Sequence, residues 1–472
     1  MKKKKRYPTE TLTVTVQALS DRGDGIATYR HPPTRGPLGK KLTLFIPKTV
    51  PGDVVQVTVR DAKGRRKATV SYDKLLVAGP WRREGPLLPE NERGGMPLSH
   101  MTYEGQLAFK TSLIKQAFDS QGVDTSTMRP IMGMAKPYRY RNNMELTFGQ
   151  GGELGMHRQG DYRTVIDLAD SWLAPKILVA VKHVLSEWQA DWQLPGFDRV
   201  KKTGLLRRVR LRYSQKKAAL LVALYATAPA EDYPEASASL AERLTRTFPE
   251  CQGVLWLWDQ GQDEQVKVAQ VQVLAGQETI PEELGGYTYH IGVDTFFQVN
   301  PTQAEKLVAT VLDFAAVQQG EQVVDLFCGI GTFSLPLAAR AKHLVGIELV
   351  EASIVQARRN AQENGLRNTQ FMAADARKGF EELKAAGYEA DVLLLNPPRA
   401  GAGGKLMRSI GRFKPQRIVY VSCSPKSLAI DLPWLEAFGY QIRAIQPIDQ
   451  FPHTVHVENV VLLTQQSEDV DE

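Results

Sequence analysis

Residues 323–334 read Val323-Val324-Asp325-Leu326-Phe327-Cys328-Gly329-Ile330-Gly331-Thr332-Phe333-Ser334. A strand-like apolar run passes through a glycine turn into a helix start. Glycines let a ligand approach the backbone, and α/β sheets bind ligands at the carboxyl ends of their strands. Ser334 stands where the dinucleotide fingerprint has its third glycine, and there is little basic charge for a pyrophosphate. The turn therefore suits a nucleoside cofactor without phosphates better than a nicotinamide one.

Outward from this turn, helices and strands alternate. The spacing predicts helices over 302–317, 332–340, 351–364, 378–386 and 403–412, and strands over 323–327, 344–348, 370–373, 391–395 and 416–421. Such alternation means a doubly wound parallel sheet of Rossmann-like type. Glu348 ends the second strand, 19 residues after Gly329, where a carboxylate can accept both ribose hydroxyls. Asp375, after the third strand, is placed to meet an adenine amino group. Asp325, Gly329, Gly331, Glu348 and Asp375 in this order point to S-adenosylmethionine.

Upstream the period changes. In residues 7–75, Leu12, Val14 and Val16 alternate with threonines, and five short strands separated by Gly/Pro turns (Pro32–Gly39 and Lys63–Arg66 among them) suggest an OB-like β-barrel. Residues 76–290 form a second, mostly β domain. It opens with a loop over 76–102 and a helix over 103–123 that is expected to pack on the catalytic domain. Further helices are predicted near 174–190 and 235–248. Residues 291–465 make the nucleotide-binding domain and 466–472 an acidic tail. The fold class is thus multidomain α/β.

The 472 residues are 43% hydrophobic and 24% charged, ordinary for a chain with a core, and contain no apolar run long enough to cross a membrane. Lys2–Lys5 and Arg6 are followed by no apolar segment, so a signal peptide is not expected. Three cysteines (Cys251, Cys328, Cys423) argue for a reducing cytoplasm rather than a disulfide framework. The net charge is +7, and four acids crowd into the last five residues, leaving a more basic body. Residues 201–217 hold eight basic residues and no acid, with Arg208, Arg210 and Arg212 on one strand face. Tyr138-Arg139-Tyr140-Arg141 interleaves aromatics with cations, as base stacking with phosphate contact requires. Arg139, Arg141, Arg208, Arg210 and Arg212 are therefore candidate RNA-binding residues.

Three strand ends carry chemistry. Leu393–Leu395 runs into Asn396-Pro397-Pro398-Arg399, where prolines fix the backbone that aims Asn396. Tyr420-Val421-Ser422-Cys423-Ser424-Pro425 sets a thiol at a strand mouth among polar neighbours, a nucleophile candidate. Cys328 lines the cofactor loop and Cys251 reads as structural. Phe451-Pro452-His453-Thr454-Val455-His456-Val457-Glu458 leads into an apolar strand, which makes Glu458 a candidate base and His453 and His456 orienting groups.

Together these residues resemble the S-adenosylmethionine-dependent RNA uracil-5-methyltransferase family, of the 23S ribosomal RNA type with an N-terminal TRAM domain. The matching pieces are Gln298 within Asp294–Asn300, then Asp325–Thr332, Glu348, Asp375, Asn396–Gly401, Tyr420–Pro425 and His453–Glu458. The resemblance implies that Gln298, Phe327, Gly329, Glu348 and Asp375 hold the cofactor. It makes Cys423 the nucleophile that adds to carbon 6 of uridine and Glu458 the base that removes the carbon 5 proton. Asn396 would face the flipped base, and Phe297 or Phe296 would stack on it. Members usually have Asp at the position of Asn396. Many also bind an iron–sulfur cluster, but Arg93, Met96 and Ser171 stand where its cysteines would be, so no cluster and no metal are expected. The implied protein is a cytoplasmic monomer that acts on RNA and not at membranes. Ribosomal RNA is the expected target, with transfer RNA as the alternative. An amino-methyltransferase needs an aromatic where Arg399 stands, and a cytosine-5 RNA methyltransferase commonly has a cysteine after the proline of that turn. A non-catalytic RNA-binding assembly factor would leave Gln298, Glu348, Cys423 and Glu458 without a role.

Overall fold

A computed structural model describes residues 9–30, 41–60, 66–158, 160–261 and 265–465. The basic N-terminus, the Pro32–Gly39 turn, Lys63–Arg65 and the acidic tail lie outside the described residues. The chain forms two compact units. The first comprises residues 1–89, 95–116 and 451–456, and the second the remainder.

The first unit holds β1 (Thr9–Leu19), β2 (Gly25–Arg30), β3 (Lys41–Ile46), β4 (Val54–Arg60), β5 (Lys67–Thr69) and β6 (Tyr72–Val77) in the order β5-β3-β2-β1-β4-β6. The alternation read from sequence is observed: Leu12, Val14 and Val16 point inward against Leu42, Leu44, Val55 and Val57. Among the described residues there are six strands rather than five, because β5 pairs with β3 while β6, after a break at Val70–Ser71, pairs with β4. Asp53, fully buried, accepts from Val50 N, Gly79 N and the Arg82 guanidinium. Helix α1 (Tyr103–Asp119) follows. Its Gln106 donates to the Leu98 and Met101 carbonyls and accepts from His453 N.

In the second unit, β7 (Asn143–Phe148), β8 (Leu154–Arg158), β9 (Asp161–Asp167), β10 (Leu206–Ser214), β11 (Ala219–Ala226), β12 (Cys251–Asp259) and β13 (Val268–Gly276) form a seven-stranded sheet ordered β13-β12-β11-β10-β7-β8-β9. Every residue of β11 is buried. Leu220, Val222 and Leu224 pack towards α2 (Lys176–Asp191) and α3 (Pro234–Thr247), while Leu221, Ala223 and Tyr225 join the core of the nucleotide-binding fold. A hairpin, β14 (Thr279–Leu284) and β15 (Tyr287–Gly292), precedes that fold and turns through Gly285-Gly286, both at positive φ.

The nucleotide-binding fold runs α4 (Pro301–Ala315), β16 (Gln322–Leu326), α5 (Ser334–Ala338), β17 (His343–Glu348), α6 (Glu351–Glu363), β18 (Thr369–Ala373), α7 (Ala376–Ala385), β19 (Val392–Leu395), α8 (Gly404–Phe413), β20 (Arg417–Ser422), α9 (Pro425–Glu436), β21 (Tyr440–Ile448) and β22 (Glu458–Gln465). Its strand order is β18-β17-β16-β19-β20-β22-β21. The first five strands in that order are parallel, as the alternation predicts. β22 runs antiparallel to both β20 and β21.

A buried ion pair tests the first unit. Asp53→Ala leaves the Arg82 guanidinium and two backbone N–H groups without their acceptor. We expect a loss of about 3–5 kcal/mol, read as a lower denaturant midpoint by circular dichroism. A change under about 1 kcal/mol would contradict the account.

Candidate active site

The glycine turn after β16 is shaped by backbone strain. Phe327, Gly329 and Gly331 all have positive φ (65°, 56° and 87°). A non-glycine residue in this region is unusual and clusters at ligand sites. The Phe327 and Cys328 N–H groups both donate to the Ile347 carbonyl, which holds the turn to β17. A Cβ at Gly331 would stand 2.7 Å from Leu335 Cδ1, whereas one at Gly329 would meet nothing within 4 Å. Gly331 is required by packing, and Gly329 borders open space.

The acids predicted for the cofactor gather here. Glu348, at the end of β17, accepts from Gly329 N (3.3 Å) and Val350 N (3.0 Å). Asp375 is the N-cap of α7 and accepts from Lys378 N at 3.2 Å. Asp325 is buried, with Oδ2 accepting from Ser334 Oγ and Oδ1 unpartnered. Burial pushes its carboxyl up to about 7; the Ser334 hydroxyl pulls it down and the Glu348 charge adds to the rise. An open glycine turn, a carboxylate at the next strand end and an unpartnered buried oxygen together fit the nucleoside and amino-acid parts of S-adenosylmethionine.

Gln298 is buried beside this fold. Its Oε1 accepts from Gln450 Nε2 at 3.1 Å, and the same Nε2 donates to the Asn300 carbonyl at 3.3 Å. A carbonyl only accepts, so the Gln450 end that faces both partners is its amide N–H2, and Gln298 turns its own N–H2 elsewhere. Phe296 and Phe297 differ sharply. Phe297 is 4% exposed and packs on Tyr289 with ring centroids 5.5 Å apart, whereas Phe296 is 72% exposed. Phe297 is thus a core ring, and the expectation that it stacks on a base passes to Phe296.

The chemistry-bearing strand ends lie side by side. β19 and β20 pair in parallel, with Leu395 opposite Tyr420, so Asn396 and Cys423 emerge from neighbouring strands. Asn396 N donates to the Leu326 carbonyl. β22 pairs antiparallel with β20, and Ser422 faces Asn459. The next residues in that register are Cys423 and Glu458. Burial pushes the Cys423 thiol up, the Glu458 charge adds to the rise, and the Arg399 guanidinium lowers it. Burial alone raises the Glu458 carboxyl to about 7.

Other predicted residues have structural partners. His453 is buried and held to Gln106 through its N–H and its ring. His456 N donates to Thr454 Oγ1. Arg212 is 4% exposed and donates to the Val293 and Thr295 carbonyls. Arg210 pairs with Glu145 and Asp294, and Arg208 with Glu145 and Asp259. Arg210 and Arg212 therefore grip the loop 293–295, and Arg212 is withdrawn from any RNA surface. Arg139 forms a two-point pair with Asp170, Arg141 Nε donates to the Asn143 carbonyl, and Lys216 and Lys217 both pair with Glu283. Ser171 is buried, with Oγ accepting from Leu173 N and Ala174 N. Among the described residues no group of three or more His, Cys, Asp or Glu side chains is arranged to hold a metal ion. Sequence reasoning missed Gln450 and Asn300, whose roles depend on amides meeting across more than a hundred residues of chain.

The model of the tRNA (Uracil-5-)-methyltransferase family matches residues 260–466, and that of the TRAM domain residues 5–66. An uncharacterized RNA methyltransferase of Halalkalibacterium halodurans is 34% identical over 96% of this chain and 97% of its own. One of Bacillus anthracis is 31% identical over 96% and 97%. The crystal structure of the tRNA (uracil-54, C5)-methyltransferase of Pyrococcus abyssi, in complex with S-adenosyl-L-homocysteine, superposes with a TM-score of 0.73 at 25% identity, covering 96% of this chain and all of that one.

The raised Glu458 carboxyl has a measurable consequence. Its folded value, about 7, lies above the ordinary 4.5, so the fold favours the neutral form. That contribution is fully present below about 4.5 and is lost as pH rises towards 7. Glu458→Gln, neutral throughout, should be more stable than the parent chain, and by roughly 2 kcal/mol more at pH 8 than at pH 5. Urea unfolding of both proteins at the two pH values measures this; an equal gap at both would show that Glu458 ionises without penalty.

Proposed function

The chain belongs to the S-adenosylmethionine-dependent RNA uracil-5-methyltransferase family and carries its TRAM domain, and we propose that it methylates carbon 5 of uridine in 23S ribosomal RNA through a covalent Cys423 adduct. The observation that supports this reading is the pairing of Ser422 with Asn459, whose next residues are Cys423 and Glu458, together with the Glu458 charge that acts on the Cys423 thiol.

Carbon 5 of uracil is too weak a nucleophile to take a methyl group unaided. Cys423 loses its proton and adds through sulfur to carbon 6, which turns the ring into an enolate with a nucleophilic carbon 5. Bound S-adenosylmethionine supplies an electrophilic methyl group to that carbon. Glu458 as carboxylate then takes the carbon 5 proton. The electrons of that C–H bond re-form the ring double bond, and the carbon 6–sulfur bond breaks to free Cys423. Arg399, which lowers the Cys423 thiol, favours the thiolate at the start of this sequence. Asn396 faces the uracil edge and can both accept and donate. Phe296 is exposed enough to stack on a base drawn out of a single-stranded loop.

Gln298, Phe327, Gly329, Glu348 and Asp375 hold the cofactor in this reading. No iron–sulfur cluster takes part, since Met96, Arg93 and Ser171 occupy its cysteine positions. The enzyme works as a monomer in the cytoplasm, and among the described residues no helix is long and apolar enough to cross a membrane. The resemblance favours ribosomal RNA. Transfer RNA is a second reading, favoured by the substrate of the Pyrococcus abyssi enzyme.

Incubation with 5-fluorouridine-substituted RNA and S-adenosylmethionine tests the reaction. Fluorine cannot leave as a proton, so the wild-type chain should accumulate a covalent protein–RNA adduct and Cys423→Ala none. With natural RNA, Glu458→Gln should slow turnover by about 10²–10⁴ and build up adduct. Absence of the wild-type adduct, or its persistence in Cys423→Ala, would remove Cys423 from the mechanism. Mass spectrometry of 23S ribosomal RNA and transfer RNA treated with enzyme separates the two targets: 5-methyluridine only in transfer RNA would overturn the ribosomal assignment.

A further inference from the structure

The turn that follows Asn396 is held from a single helix. α9 begins two residues after Cys423, with Ser424 as its N-cap. In its first turn Ser427 Oγ donates to the Arg399 carbonyl at 3.0 Å. One turn further along, Asp431 is 2% exposed. It accepts from Ala402 N at 2.8 Å and Gly403 N at 3.1 Å, and from the Tyr420 hydroxyl at 2.6 Å. Gly401 lies at φ +88, and a Cβ there would stand 2.6 Å from Asp431 Oδ2. Carboxylate and turn are thus fitted so closely that a side chain does not pass between them.

A carboxylate withdrawn from water is costly unless its oxygens are satisfied. All three of these donors are neutral groups, so no opposite charge offsets the burial of the carboxylate. The use of Asp431 lies in what it joins. Two of its donors are backbone groups of the turn after Asn396. The third is a hydroxyl on β20, the strand that ends beside the thiol. The steps described above give Asp431 no part, and it touches neither reacting atom.

We propose that Asp431 is a positioning residue that fixes the turn 396–403 against the helix leaving Cys423 and so sets the approach of the uracil ring to the thiol. This inference rests on the reading of Cys423 as nucleophile. Without Asp431 the acceptor turn would sample positions in which Asn396 and Arg399 no longer face the ring held over the thiol. The cofactor turn after β16 has its own supports on β17 and would stay in place.

The test compares the wild-type chain with Asp431→Asn and Tyr420→Phe on 5-fluorouridine-substituted RNA. Asp431→Asn keeps the size but turns an amide N–H2 against groups that are themselves donors. At saturating RNA its single-turnover adduct rate should fall about tenfold or more, while its affinity for S-adenosylhomocysteine stays within about twofold by calorimetry. Tyr420→Phe removes one donor and should fall in the same direction by less. Should Asp431→Asn fail to fold, Tyr420→Phe decides on the same two readouts. Wild-type rates in the variants, or losses of rate matched by equal losses of S-adenosylhomocysteine affinity, overturn the positioning role alone. Absence of adduct from the wild-type chain overturns the reading of Cys423 first.

Discussion

The antiparallel insertion of β22 between β20 and β21 is the constraint on which the chemistry-bearing end of the molecule depends. A parallel sheet brings the last residues of its strands to one edge, where ligands bind. β22 runs the other way, so its first residue reaches that edge. This is why Glu458, which opens a strand, lies next to the pair Ser422 and Asn459 at the end from which Cys423 leaves. β22 is buried on both faces, since the neighbours Val460 and Val461, and Leu463, are all in the core.

Burial raises both Asp325 and Glu458 to about 7, and it raises the Cys423 thiol as well. The Glu458 charge adds to the rise of the thiol, so the thiol ionises more readily while Glu458 holds its proton. Arg399 is the cation that acts on the thiol, and it sits on the same turn as Asn396. Displacing that turn would therefore change both the contact to a base edge and the ionisation of the thiol.

The doubly wound order was legible because helix and strand periods alternate through residues 302–421. The glycine turn, Glu348 and the pair Cys423 and Glu458 were legible from strand ends, which a period fixes to within a residue or two. The exposure of Phe296 against the burial of Phe297 was not, since adjacent aromatics in a loop carry no period. The withdrawal of Arg212 was not legible for a different reason. The alternation of arginines along β10 is real, but the sequence does not show that Arg210 and Arg212 bond to loop 293–295. Three carboxylates from distant segments, Glu145, Asp259 and Asp294, neutralise what the local composition presents as free charge.

That withdrawal has a structural use. Arg212 gives its guanidinium to the carbonyls of Val293 and Thr295, and Arg210 adds the Val293 carbonyl and Asp294. The gripped residues immediately precede Phe296, Phe297 and Gln298. Downstream, Gln450 and Asn300 exchange amide–carbonyl bonds that fix the other end of the same stretch. The loop 293–300, pinned at both ends, has few conformations left, so the direction of the Gln298 amide is set before any ligand arrives. Pre-ordering of this kind reduces the entropy lost on binding. Arg210 and the buried Arg212 thus order the Gln298 loop through its backbone.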